Sequence, residues 1–226
     1  MASALHIEEQ DKIDQLKSFW NTYGNLITWL LILVCAAVAA WNGWSWWQQR
    51  QAIQGAAMFD ELDQAVQTKD LTKAERVLND LKQQYPRTIY TQQGGLLTAH
   101  LQFINGKLDV AAATLNGVAE NAPNQEYKAI ALLRLSGILL EQKKYDEALK
   151  KVSKVKSAEF GALADDRRGD ILLAQGKKEE AQKAFSSAYQ QMNQELAYRR
   201  LIEAKLVAMG VAPPNKSASA PASVTR

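Results

Sequence analysis

Cysteine occurs once in this chain of 226 residues, as Cys35, and histidine twice, as His6 and His100. A single cysteine excludes an intrachain disulfide framework and any zinc site built on Cys ligands. Two histidines far apart in the sequence leave little material for a metal centre, so neither a metal nor another cofactor is expected. Charge of one sign is not in large excess: the net charge is +3 and the pI near 8.8, too mild to indicate nucleic acid binding. Between Ser18 and Gln49 there is no Asp, Glu, Lys or Arg at all, and after Trp47 there is no tryptophan. What is present is globular in composition, 47% hydrophobic and 23% charged, too apolar for a wholly disordered chain. The six tryptophans, Trp20, Trp29, Trp41, Trp44, Trp46 and Trp47, all fall in or beside the uncharged stretch. Two parts of one chain address two solvents.

The uncharged stretch reads as a membrane span. Its centre, Leu26 to Trp41, has one polar interruption, Thr28. Tyr23 to Trp44 makes about 33 Å of helix at 1.5 Å per residue, against a hydrocarbon core of ~30 Å. Phe19, Trp20 and Tyr23 mark one interface and Trp41, Trp44, Trp46 and Trp47 the other, as amphipathic rings do at headgroup level. A cleaved signal peptide is not expected, because the segment preceding the apolar run carries Glu8, Glu9, Asp11 and Asp14 instead of a short basic region. Lys12 and Lys17 on one side against Arg50 on the other favour a cytoplasmic N-terminus. The body of the protein then faces the opposite side, the periplasm in a bacterium. The expected organisation is an acidic cytoplasmic head over 1–22, a span over 23–47, a helical domain over 48–210 and a disordered Pro/Ser/Ala tail over 211–226.

The helical domain repeats. Aligning the segments TKDLTKA, INGKLDVAA, EQKKYDEAL and AQGKKEEAQ brings Ala74, Ala111, Ala148 and Ala181 into register, at separations of 37, 37 and 33 residues. Four places after each alanine stand Leu78, Leu115, Val152 and Phe185, and seven after stand Leu81, Val118, Val155 and Ala188. Twelve before are Leu62, Ala99, Ser136 and Gly169; nine before are Ala65, Gln102, Leu139 and Leu172. The unit is a helix, a short turn and a second helix, then a break at Pro86 and Pro123 in the first two copies. An alanine opening the second helix lets antiparallel helices approach, and the +4 and +7 places supply one buried face. The fold class is all-α: one transmembrane helix, then an α-solenoid of about four helical pairs. A capping helix over Glu195 to Met209 closes the last apolar face.

These pairs resemble the tetratricopeptide repeat, a 34-residue helical hairpin. The match is best in RRGDILLAQGKKEEAQKAFSSAY and weaker in the first two copies, whose 37-residue periods imply longer turns. The tryptophan that the repeat carries in its first helix is replaced by Met58, Gly95, Leu132 and Asp165.

Chemistry is sparse. Carboxylates occur side by side, as in Asp165-Asp166 and Glu179-Glu180, and adjacent residues point to different sides of a helix. No phosphate loop, nucleophile elbow or HExxH pattern occurs. Lys143, Lys144, Lys150, Lys151, Lys154 and Lys156 form a basic stretch that Asp146 and Glu147 dilute, read as a solvated helix face, with an acidic partner or a lipid headgroup surface as the alternative. An enzyme is not expected. A repeat solenoid instead offers a wall made by the first helix of each pair, which takes peptides or partner helices. The wall positions are Phe59, Asp63, Leu96, His100, Phe103, Ile130, Leu133, Leu140, Asp166 and Asp170, apolar in three repeats and acidic in the fourth. The apolar ones are equally read as core between repeats. Lys, Arg and Asn are missing from this set, which argues against a clamp for a peptide carboxylate.

As a whole the arrangement resembles the ancillary SecYEG translocon subunit family. The residues that carry the likeness are LKSFWNTYGN before the span, WNGWSWWQQRQAIQGAAMFDEL after it, and RRGDILLAQGKKEEAQKAF. The resemblance implies a single-span inner-membrane protein with a periplasmic repeat domain. Such a protein is a non-enzymatic, chaperone-like accessory of the SecYEG translocon, acting with a membrane-anchored periplasmic prolyl-isomerase-like chaperone on emerging secreted or outer-membrane proteins. The alternative reading is a membrane-tethered adaptor for envelope assembly or stress signalling that uses its cytoplasmic head.

Overall fold

The computed structural model describes residues 2–212, with side chains from Lys17 onward except at positions 18, 19, 21, 22, 24 and 27. The carboxylates of the acidic head, the Phe19 ring and the tail expected beyond residue 212 lie outside the described residues. The chain divides into two compact units, the first ending at Ile53 and the second starting at Gln54.

The first unit is helical throughout, formed by α1 (Ala2–Gln67) as far as Ile53. Every side chain described between Trp20 and Arg50 is exposed, the six tryptophans among them. Leaving a Leu, Ile or Val side chain in water costs roughly 1.5–3 kcal/mol relative to burying it. A helix bare over this length is therefore built for an apolar solvent. Among the described residues this is the one helix long and apolar enough to cross a membrane. At its far end the Trp44 and Trp47 rings lie 5.6 Å apart, and the Arg50 guanidinium sits 4.4 Å over the Trp46 ring. The aliphatic stem and the charge of Arg50 are thus both accommodated where the apolar stretch stops.

The second unit takes the end of α1 and adds α2 (Leu71–Gln84), α3 (Ile89–Ile104), α4 (Leu108–Asn121), α5 (Gln125–Glu141), α6 (Tyr145–Val152), α7 (Gly161–Ala174), α8 (Lys178–Gln191) and α9 (Ala197–Ala208). A short 3-10 turn, Ala158–Phe160, leads into α7. The described residues contain no strand. Successive helices pack against one another, and the first helices of the pairs, α3, α5 and α7, also stack in order.

The repeat register explains this packing. Ala74, Ala111, Ala148 and Ala181 are all fully buried, each where a second helix crosses a first. Leu62, Ala99, Ser136 and Gly169, twelve places earlier, are buried too, as are the residues at +4. Opposing sizes are complementary: a Cβ on Gly169 would lie 2.5 Å from the Phe185 ring, so the fourth pair closes only because that place has no side chain. Gln102, polar in an apolar place, donates from Nε2 to Glu75 Oε1 at 2.9 Å across the first and second pairs. Ser136 Oγ donates to the Leu133 carbonyl at 2.8 Å, within its own helix.

The turn inside each pair follows one pattern. Five places before each register alanine stand Lys69, Gly106, Lys143 and Gly176, all with positive φ, between 57° and 79°. Their neighbours' N–H groups reach back to the carbonyls of Ala65, Gln102, Leu139 and Leu172, at 2.8–2.9 Å. This is the left-handed helix stop in which a 6→1 hydrogen bond satisfies an orphan carbonyl. The turns themselves are equal, residues 68–70, 105–107, 142–144 and 175–177. The longer turns expected in the first two copies are therefore not found. The extra length of the 37-residue periods is helical: α2 and α4 have 14 residues and α3 and α5 have 16 and 17, whereas α6 has 8 and α7 has 14. Because α6 stops at Val152, Val155 lies beyond it and is only partly buried, unlike Leu81, Val118 and Ala188 at the same place.

The final helix α9 packs on α8 through Ile202 and Leu206, both fully buried. It ends in the same left-handed stop at Gly210, whose successor Val211 donates to the Leu206 carbonyl at 3.0 Å. In its ending α9 thus resembles α1, α3, α5 and α7.

Candidate functional site

The first helices place two recesses side by side. One, of about 420 Å³, lies among α3, α5 and α7 and is lined by His100 and Phe103 on one wall and Gly137, Ile138 and Glu141 on the other. The second, of about 210 Å³, lies among α5, α7 and α9 and is lined by Ile130, Leu133, Phe160, Leu163, Asp166 and Tyr198. Arg134 and Arg167 line both. The i, i+3, i+4 and i+7 spacing of a helix brings these residues to one face, since Ile130, Leu133, Arg134 and Gly137 are one stripe of α5.

Each arginine bridges two repeats. Arg134 Nη1 donates to the Leu96 carbonyl of α3 at 3.2 Å. The Arg167 guanidinium lies beside Gly137 of α5, 3.6 Å from where a Cβ would stand, and 3.8 Å from Asp170 Oδ2. Sequence reasoning left both arginines out. The signal was present: each stands fourteen places before its register alanine, beside a wall position. Lys and Arg are therefore not missing from this face.

The acidic end differs from expectation. Asp166 is only 2% exposed, accepting from Tyr198 Oη at 2.7 Å and from Lys205 Nζ at 2.8 Å. The same ammonium donates to Asp170 Oδ1 at 2.7 Å. One lysine from α9 thus pairs with both wall carboxylates, Arg167 also lies beside Asp170, and the fourth repeat is not an acidic wall. Burial raises the Asp170 carboxyl above its ordinary value, and Lys205 opposes that rise. Burial first, then the bond to Asp166, push the Tyr198 phenol well up. Tyr198 and Lys205 were not foreseen because the pairing joins distant segments of the chain.

The remaining wall residues divide. His100 is exposed, and Phe103, Ile130 and Leu133 are partly buried with faces on the recesses. Leu96 is core, buried among Ala99, Leu115 and Leu135. Leu140 packs against that same core and Phe59 makes a tilted ring contact with Tyr90, centroids 5.8 Å apart; neither lines either of the two recesses. Asp63 accepts from Gln67 Nε2 at 2.6 Å in its own helix. Among the described residues no three His, Cys, Asp or Glu side chains converge as metal ligands do. The arrangement suits a binding face: two recesses of mixed polar and apolar lining flanking two cations.

Helical pairs of this kind define a class, and the family model described as a tetratricopeptide repeat-like domain matches residues 17–211. A protein of Neisseria gonorrhoeae named ancillary SecYEG translocon subunit is 34% identical over 207 residues, 90% of this chain and 98% of that relative. A protein of the same name from Haemophilus influenzae is 29% identical, covering 88% of this chain and 98% of its own length. One from Escherichia coli, also so named, is 26% identical over 73% of this chain and 79% of its own. The chain belongs to the ancillary SecYEG translocon subunit family, within the tetratricopeptide repeat-like class.

Proposed function

We propose that the chain is a non-catalytic accessory subunit of the Sec translocon, held in the bacterial inner membrane by its one span, with the N-terminus cytoplasmic and the repeat domain periplasmic. The relatives' name supports the translocon association. Lys12 and Lys17 against Arg50 support the orientation. In this reading the face of α3, α5 and α7 engages partner proteins, a membrane-anchored prolyl-isomerase-like chaperone or emerging secreted chains.

The observation that carries the reading is the pair of adjoining recesses with Arg134 and Arg167 between them. Phe103, Ile130 and Leu133 supply apolar contact, and the arginines supply planar donors for carbonyls or carboxylates of an extended segment. Tethering makes modest affinity sufficient, because a partner in the same membrane meets the domain at a high effective concentration. The test is recovery of translocon-associated chaperones and secreted chains with the tagged full chain from inner-membrane vesicles. Phe103→Glu and Leu133→Glu are expected to lower it at least about fivefold, a loss of ~1 kcal/mol of binding, while helicity and membrane insertion stay unchanged. Undiminished recovery with folded variants would overturn the assignment of this face.

A further inference from the structure

The basic stretch singled out in the sequence does not form a helix face. Because α6 ends at Val152, Lys154 and Lys156 stand in the connection that follows, on either side of Val155. Val155 packs against the core, so its two neighbours are turned outward and are exposed. Lys151, in the last turn of α6, donates from Nζ to Asn116 Oδ1 of α4. Lys128 of α5, outside the sequence cluster, completes the group: all four lysines line one crevice of about 150 Å³ between α4, α5 and the end of α6.

Two features separate this crevice from an ordinary solvated surface. The first is the gathering of Lys128, Lys151, Lys154 and Lys156 around one crevice, where, among the described residues, none of the four forms an ion pair. The one carboxylate in the lining, Glu120, accepts from Asn116 Nδ2 at 2.7 Å instead. The second feature is the floor. Ala119, Ala129, Leu132 and Val155 make it apolar, beneath a basic rim.

We propose that this crevice docks an acidic segment of a partner protein, one that seats an apolar side chain on the floor between carboxylates that meet the lysines. Charge complementarity fixes the sign of the partner, since like-sign cations brought together without counterions gain most from an anion. The floor selects a peptide over a bilayer: a planar anionic surface would meet the lysine tips and leave an apolar recess of one side chain's size unfilled. The site shares α5 with the two recesses but none of their lining residues.

The test uses the full chain in phosphatidylcholine nanodiscs and a fluorescein-labelled peptide, EEDLDEE, followed by fluorescence anisotropy. Lys154→Glu/Lys156→Glu is expected to weaken binding at least about tenfold, with helicity unchanged because both side chains are exposed. Lys154→Arg/Lys156→Arg should retain it. The equal charge change Lys178→Glu/Lys183→Glu, on exposed positions of α8, should weaken it less than about twofold, through the long-range field alone. Replacing the peptide's leucine by serine should cost several-fold. Equal loss in the two Glu doubles, equal binding of the serine peptide, or no binding of either peptide would overturn the proposal. So would association with phosphatidylglycerol nanodiscs that displaces the peptide and is itself abolished by Lys154→Glu/Lys156→Glu.

Discussion

Lys69 and Lys143 occupy the left-handed region, with φ of 57° and 59°, where Gly106 and Gly176 stand in the other two turns. A residue with a Cβ pays roughly 1–2 kcal/mol there, which glycine escapes. Lys69→Gly and Lys143→Gly are therefore predicted to raise stability by about 1 kcal/mol each in urea denaturation, since the backbone hydrogen bonds of the turn do not involve the lysine side chains. The residues that carry this conformation were legible only in part. Gly106 and Gly176 share a register place and advertise the turn; the lysines do not, because the helix stop is imposed by the packing of the flanking helices. The buried alanines were legible throughout, since a fixed period with a small residue at one place has few physical readings. Arg134 and Arg167 were not read, although they share a register place, because an arginine is by default a surface residue.

At the scale of elements, the joint between α7 and α9 rests on ionic and phenolic hydrogen bonds as well as apolar contact. Asp166→Ala would leave the Tyr198 hydroxyl and the Lys205 ammonium short of a buried acceptor, at a cost of about 3 kcal/mol. Faster amide exchange in α9 should accompany the loss. Asp170 behaves oppositely. Its carboxyl titrates above its ordinary value chiefly because burial disfavours the charge. A raised pKa means that the group favours the folded state when protonated, and that this contribution is lost as pH rises through the folded-state pKa. Asp170→Asn is thus predicted to be at least as stable as the parent at pH 7, the difference narrowing as pH falls into the carboxylate range. A large destabilisation at pH 7 would show that the Lys205 bond outweighs burial. Helix lengths were the least legible feature at this scale. A 37-residue period says that extra residues exist, and only the packing decides that they extend α2 to α5 instead of the turns.

For the whole molecule, the apolar helix and the repeat domain are two units with two solvents, and the tryptophan distribution announces that division in the sequence. In the proposed function the division has a counterpart: the span places the protein, and the repeat domain supplies faces for other proteins. The central claim is that the face of α3, α5 and α7 is where translocon-associated proteins bind. The most direct measurement is site-specific photo-crosslinking in intact inner membranes, with the probe at Phe103, at Leu133 and, as a reference, at exposed Lys183 on α8. The account predicts discrete adducts with translocon-associated or secreted proteins from Phe103 and Leu133 and none from Lys183. Adducts from Lys183 alone, or equally from all three positions, would contradict it.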